Sequence, residues 1–228
     1  VCLTAAGAAI RVVDVNKDNV DEVLSSVDAV VIGAGGDIHP DLYESTQKHP
    51  TGLDKARDEF EIKLVRGAYQ RNMPCIGVCH GNQLMNVAFG GKLRSLKETE
   101  PAAYERHGPG VKSLDAHSVE AVPGSWTAKL LNGTVARVSS FHGMAVSKPG
   151  SVFTATSHCV DDGVIESTEA TDKSHRFFIS TQFHPEFPPY TMQGFFNKLV
   201  EDAKDYRVEK DRLMLQQNQK KFPIEPLE

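Results

Sequence analysis

Apolar and polar positions fall into blocks along the first half of the chain, with strand-like runs alternating with helix-like ones. Residues 28–32 form an apolar run halted by Gly33-Ala34-Gly35-Gly36, and Cys75-Ile76-Gly77-Val78 is a second run of the same kind. Runs this short, with no polar alternation, predict strands buried on both faces. Between them, residues 54–71 place Phe60, Leu64, Val65 and Ala68 at helical spacing ahead of an Asn72-Met73-Pro74 stop. Residues 81–89 predict another helix, closed by Gly90-Gly91. Upstream, residues 1–9 read as the end of a helix, 10–15 as a strand, and 18–26 as a helix with an acidic first turn. The alternation predicts an α/β fold with helices on both faces of a mostly parallel sheet.

The second half is richer in strands, predicted at residues 118–122, 134–139, 153–157, 163–169 and 177–183, followed by a last helix at 191–205. Residues 37–53 and 101–114 lack periodicity and predict surface loops. The domain reading is therefore one domain over residues 1–205 and a polar, loosely attached tail over 206–228.

Composition narrows the class. The chain has 228 residues, 40% hydrophobic and 24% charged, enough apolar material for one sizeable core. The formal charge of −5 is mild, and acidic and basic residues are interspersed, so no basic stripe for nucleic acid is predicted. No apolar run reaches the roughly 18 residues of a spanning helix. The start carries no basic leader, and the cysteines at 2, 75, 79 and 159 do not form a stapled framework, which points to a reducing cytoplasm. Cys75, Cys79 and His80 lack a second Cys/His pair at zinc spacing, so neither a metal nor an organic cofactor is predicted.

The chemistry gathers at Gly77-Val78-Cys79-His80-Gly81. A buried strand followed at once by a helix forces the residue between them into a sharp turn. Glycines two residues before and after it remove Cβ atoms that would clash there. The turn presents the Cys79 thiol at the carboxyl end of the sheet and at a helix N-terminus, which favours thiolate. His184-Pro185-Glu186 lies at the end of the 177–183 strand. Positions i and i+2 of an extended chain point the same way, so Glu186 is placed to orient His184 while His184 takes the thiol proton. The backbone N–H of His80 is one candidate oxyanion donor, and the flexible turn at Gly35 and Gly36 offers another.

Together, Gly77-Val78-Cys79-His80-Gly81-Asn82-Gln83 and His184-Pro185-Glu186 resemble the class I glutamine amidotransferase superfamily. The residues from Gly35 to Tyr43, Arg57-Asp58-Glu59-Phe60-Glu61, Asn86-Val87-Ala88-Phe89-Gly90-Gly91 and Ser140-Phe141-His142 resemble its branch of free-standing γ-glutamyl hydrolases. The best-known member of that branch cleaves γ-glutamyl-γ-aminobutyrate in putrescine breakdown. The resemblance implies a flavodoxin-like three-layer sandwich and a γ-glutamyl thioester hydrolysed by water to glutamate and an amine. It further implies Cys79, His184 and Glu186 as catalytic residues and Gly35 as second oxyanion donor. Gln83 matches a position that helps hold the glutamyl group, and His142 a substrate-side position.

Four features depart from the branch. His80 stands where Arg is common, Gly33-Ala34 replaces Pro-Gly, Met144 replaces Gln, and the family's first strand has no counterpart. Two other readings share the motif. One is a glutaminase subunit supplying ammonia to a synthase partner, and the other is a catalytically silent regulatory homologue. Whether the chain pairs as a homodimer, and which amine leaves, stay open at this level.

Overall fold

The fold is described from a computed structural model covering residues 1–45, 47–108, 116–187 and 192–221. A short helix, α1 (Cys2–Ala5), precedes α2 (Val20–Ser26) and strand β1 (Val30–Ile32). Then come α3 (Lys55–Gln70), β2 (Cys75–Val78) and α4 (His80–Ala88). Next are β3 (Lys92–Ser95), α5 (Leu96–Thr99), α6 (Pro101–His107), β4 (His117–Ala121), α7 (Trp126–Leu130) and β5 (Val135–Val138). The chain continues through β6 (Met144–Lys148), β7 (Phe153–Cys159), β8 (Ile165–Ala170), β9 (Phe178–Thr181) and α8 (Gln193–Lys221).

Local chemistry starts the helices where the pattern places them. Asn19 Oδ1 accepts from the N–H groups of Asp21 and Glu22 at the head of α2, and Asp54 Oδ1 accepts from Arg57 N at the head of α3. Strand β2 is buried throughout, and its alternate residues serve two cores. Ile76 and Val78 join Phe177, Ile179, Phe183, Phe195 and Leu199 on the α8 side. Cys75 joins Leu64, Val65, Leu84 and Met85 on the side of α3 and α4. Side chains alternate across a strand, so one apolar run feeds both layers of helices.

The central sheet has the order β1-β2-β9-β8-β7-β4-β5, and β3 pairs with β6 in a separate ribbon. Only β1–β2 and β2–β9 are parallel, while every other pairing is antiparallel. The expectation of a mostly parallel sheet is thus corrected to a mixed one. Short connections between β7 and β8, and between β8 and β9, permit only antiparallel return.

Three further expectations change. Residues 10–15 form no strand: an apolar cleft of about 730 Å³ lined by residues 8–11, Val13, Val30 and Val31 holds the segment off the open edge of β1. Residues 101–107 are helix α6 rather than loop, started by Pro101 in the first turn, where its missing N–H costs nothing. The rest of that predicted loop, 109–114, lies outside the described residues. Finally, α8 runs on to Lys221, since no glycine or proline interrupts it after Gly194. Residues 206–210 are docked rather than loose. Tyr206 packs on the core, and Arg207 and Lys210 both pair with Asp28 at 2.9 and 2.7 Å.

Candidate active site

Cys79 sits between β2 and α4 with φ +55° and ψ −102°, a conformation rarely adopted by a residue with a side chain. A Cβ on Gly77 would lie 2.6 Å from the Gly81 carbonyl oxygen, and one on Gly81 would lie 2.2 Å from that of Ile32. The two glycines therefore let the strand, the turn and the helix close on one another. Cys79 N donates to Thr181 O at 2.8 Å, tying the turn to the end of β9.

That strand end supplies the partners. His184 is 5% exposed, and its Nδ1 lies 2.8 Å from Glu186 Oε1. Its Nε2 has no hydrogen-bond partner among the described residues. The ring is stacked on Phe187 at 4.9 Å and meets Phe141 edge-on at 5.6 Å. Burial disfavours the imidazolium, yet the Cys79 thiol and then the Glu186 carboxylate outweigh it and hold the His184 pKa up at about 9.

Gln182 was missed at the sequence level. Its Nε2 approaches Cys79 Sγ at 3.7 Å, and its Oε1 accepts from Asn82 Nδ2 and Gln83 Nε2. The i, i+2 rule that joins His184 to Glu186 also reaches back to Gln182, so the signal was present. Gln83 donates again to Met144 O at 3.1 Å, so both its amide hydrogens are engaged within the protein. Met144 is buried, and its carbonyl rather than its side chain meets Gln83.

The glycine turn lies beside the nucleophile. His80 Nδ1 bonds Gly36 O at 2.8 Å, while Nε2 approaches Glu61 Oε2 at 3.2 Å and Asp58 Oδ1 at 3.6 Å. A Cβ on Gly35 would fall 2.5 Å from Arg57 Nη1, and one on Gly36 would fall 2.2 Å from Gly52 O. His80 at the head of α4 thus latches the turn to α3 through its side chain, leaving its backbone N–H beside Cys79. His142 is brought to the other side of Met144: its Nδ1 bonds Met144 O at 2.9 Å, and its Nε2 faces the buried Glu166.

With this geometry in place, the chain matches the family model described as peptidase C26 over residues 2–186. It is 34% identical to protein NtpR of Enterococcus hirae over 187 residues, 78% of this chain and 76% of that one. It is 31% identical to the glutamine amidotransferase-like protein YvdE of Lactococcus lactis over 183 residues, 79% and 75% of the two chains. In fold it resembles the glutaminase domain of Trypanosoma brucei CTPS with bound acivicin, at 16% identity and a TM-score of 0.59. That likeness covers 90% of this chain and 84% of that one.

Proposed function

Because the chain belongs to the peptidase C26 family of the class I glutamine amidotransferase superfamily, we propose that it hydrolyses γ-glutamyl amides through a thioester on Cys79. One observation carries the reading. A strained cysteine at a helix N-terminus faces the end of a strand that holds a paired His184–Glu186 and the Gln182 amide.

In this reading the Cys79 thiolate attacks the γ-carbonyl carbon, and the new C–S bond leaves a tetrahedral oxyanion. The N–H of His80 and a donor from the turn at Gly35 receive that charge. Collapse breaks the C–N bond as the His184 imidazolium gives its proton to the departing amine. His184, now neutral, takes a proton from water as it attacks the thioester. The C–S bond breaks, releasing glutamate and restoring the thiol. Glu186 keeps the ring in the tautomer that aims Nε2 at the sulfur.

The test is a substrate panel of γ-glutamyl-γ-aminobutyrate, glutamine and γ-glutamyl peptides, assayed with wild type and Cys79→Ala. Turnover by wild type alone supports the assignment, and equal rates in both remove it. The same panel identifies the leaving amine. Glutaminase activity only on addition of a second protein would move the reading to an ammonia-supplying subunit.

A further inference from the structure

Behind the wall that carries Met144, four side chains from four segments converge in the interior. His107 ends α6, His117 begins β4, His142 precedes β6, and Glu166 lies in β8. All four are at least 97% buried, and one ligand atom from each lies within 4.8 Å of the others. Glu166 Oε1 is 3.2 Å from His107 Nδ1, 3.4 Å from His117 Nε2 and 3.5 Å from His142 Nε2. None of these approaches has hydrogen-bond geometry, and His117 Nε2, His142 Nε2 and both Glu166 oxygens are without partners among the described residues. Buried polar atoms are rarely left this way.

The second nitrogen of each ring explains which atom faces inward. His142 Nδ1 lies 2.9 Å from Met144 O, His117 Nδ1 lies 3.4 Å from Ser118 O, and His107 Nε2 lies 3.0 Å from the Asp162 carboxylate. Each of those neighbours can only accept, so the nitrogen beside it carries the proton. The opposite nitrogen of each neutral ring then presents a lone pair toward Glu166, that of His107 being shared with Ser140 Oγ at 3.4 Å. Three lone pairs around a carboxylate oxygen repel in a dry interior. Protonating the rings instead would crowd cations whose centroids are 4.3 and 4.8 Å apart. A single divalent cation satisfies all four acceptors at once.

The geometry points to a tetrahedral three-histidine, one-carboxylate site for a divalent transition metal of the zinc type. Bonds of about 2.0–2.1 Å set the edge of a tetrahedron at about 3.3 Å, which the carboxylate-to-imidazole separations already match. Anchoring the far nitrogen of each ring on a carbonyl or carboxylate is the usual support for a metal-bound histidine. With four protein ligands the site is closed, so the ion is structural. It clamps α6, β4 and β8 to the segment whose Met144 carbonyl holds Gln83 beside Cys79.

The test uses the full chain, stripped with a chelator and dialysed against zinc or cobalt(II). About one equivalent of zinc per chain is expected to survive gel filtration, in wild type and equally in Cys79→Ala. Cobalt is expected to give a tetrahedral spectrum without a thiolate charge-transfer band. Asp162→Asn, which among the four ligands meets only the far side of His107 and otherwise pairs with Arg106 and Val164 N, is expected to lower affinity about 10–100-fold. The double change His117→Gln with Glu166→Gln is expected to lose the ion. Failure of the stripped wild type to take up zinc overturns the proposal. So does zinc retained at full affinity by the double variant, or lost with Cys79→Ala. Should the double variant not fold, X-ray absorption of the zinc-loaded wild type decides. Nitrogen and oxygen ligands with imidazole scattering support the site, and sulfur at about 2.3 Å overturns it.

Discussion

Glu186 Oε1 lies 2.8 Å from His184 Nδ1 across a single proline, so the carboxylate holds one ring nitrogen and leaves Nε2 without a partner among the described residues. Replacing Glu186 by Gln keeps the shape and removes the charge that favours the imidazolium. The expected result is a loss in kcat of about 10²–10⁴-fold, by analogy with triads whose carboxylate is neutralised. The alkaline limb of the pH–rate profile, set by loss of the His184 proton near pH 9, is expected to move to lower pH. An unmoved limb would show that Glu186 does not act on the ring.

The same group links pH to stability. The folded-state pKa of His184 is raised from 6.5 to about 9, so its contribution is fully present below pH 6.5 and fades as pH rises through 9. Cys79 is the largest of the groups raising it, ahead of Glu186. In Cys79→Ala the His184 imidazole is expected to titrate at lower pH than in wild type. An NMR titration of the ring protons checks this, and an unchanged midpoint would contradict the proximity argument.

Cys79 holds a positive φ that costs about 1–3 kcal/mol for a residue with a side chain. Glycine adopts it freely, at a backbone entropy cost of about 0.5–1 kcal/mol. Cys79→Gly is therefore expected to be at least as stable as Cys79→Ala, by about 1 kcal/mol in urea unfolding. Both variants lack the thiol, so the comparison isolates the turn.

Gly81 and Gly33 separate packing from composition. A Cβ on Gly81 meets the Ile32 carbonyl oxygen at 2.2 Å, whereas one on Gly33 meets nothing within 4 Å. Gly81→Ala forces α4 away from β1 and is expected to cost about 3 kcal/mol. Gly33→Ala is expected to stay within about 0.5 kcal/mol of wild type. Equal unfolding midpoints for the two would refute the close-approach argument.

His80 is the latch between the glycine turn and α3. Changing it to Ala leaves Gly36 O without its donor and sets the Asp58 and Glu61 carboxylates beside an empty space. A loss of about 1–3 kcal/mol is expected, read from thermal or urea unfolding, because the Gly36 carbonyl then lacks its donor while Asp58 and Glu61 keep only His39 N and Arg57 Nε.

Sequence reasoning carried furthest where the chemistry is local. The elbow at Cys79 needs glycines within two residues on each side, and the His184–Glu186 pair needs only the repeat of an extended chain. Both are short-range constraints, and the structure places both together at the end of β9. The helices at α2, α3 and α4 follow from caps and periodicity that also act over a few residues. Short elements such as α6 and β6 escaped because a turn or two carries too little pattern to rise above its surroundings.

What the sequence by itself determined is thus the cysteine in a sharp strand-to-helix turn and the paired His184 and Glu186 just beyond the end of another strand. Only the tertiary structure decided the direction of the strands, the pairing of β8 between β7 and β9, and the company of Glu166. His107, His117 and His142 are scattered along the chain at no recognised ligand spacing. They meet because a mixed sheet brings β4 and β8 to flank β7, with the segments before β4 and β6 folded against them. The physical reason is one of range. Backbone turns and strand alternation act between near neighbours, whereas sheet order and a buried cluster arise from contacts that no local spacing encodes.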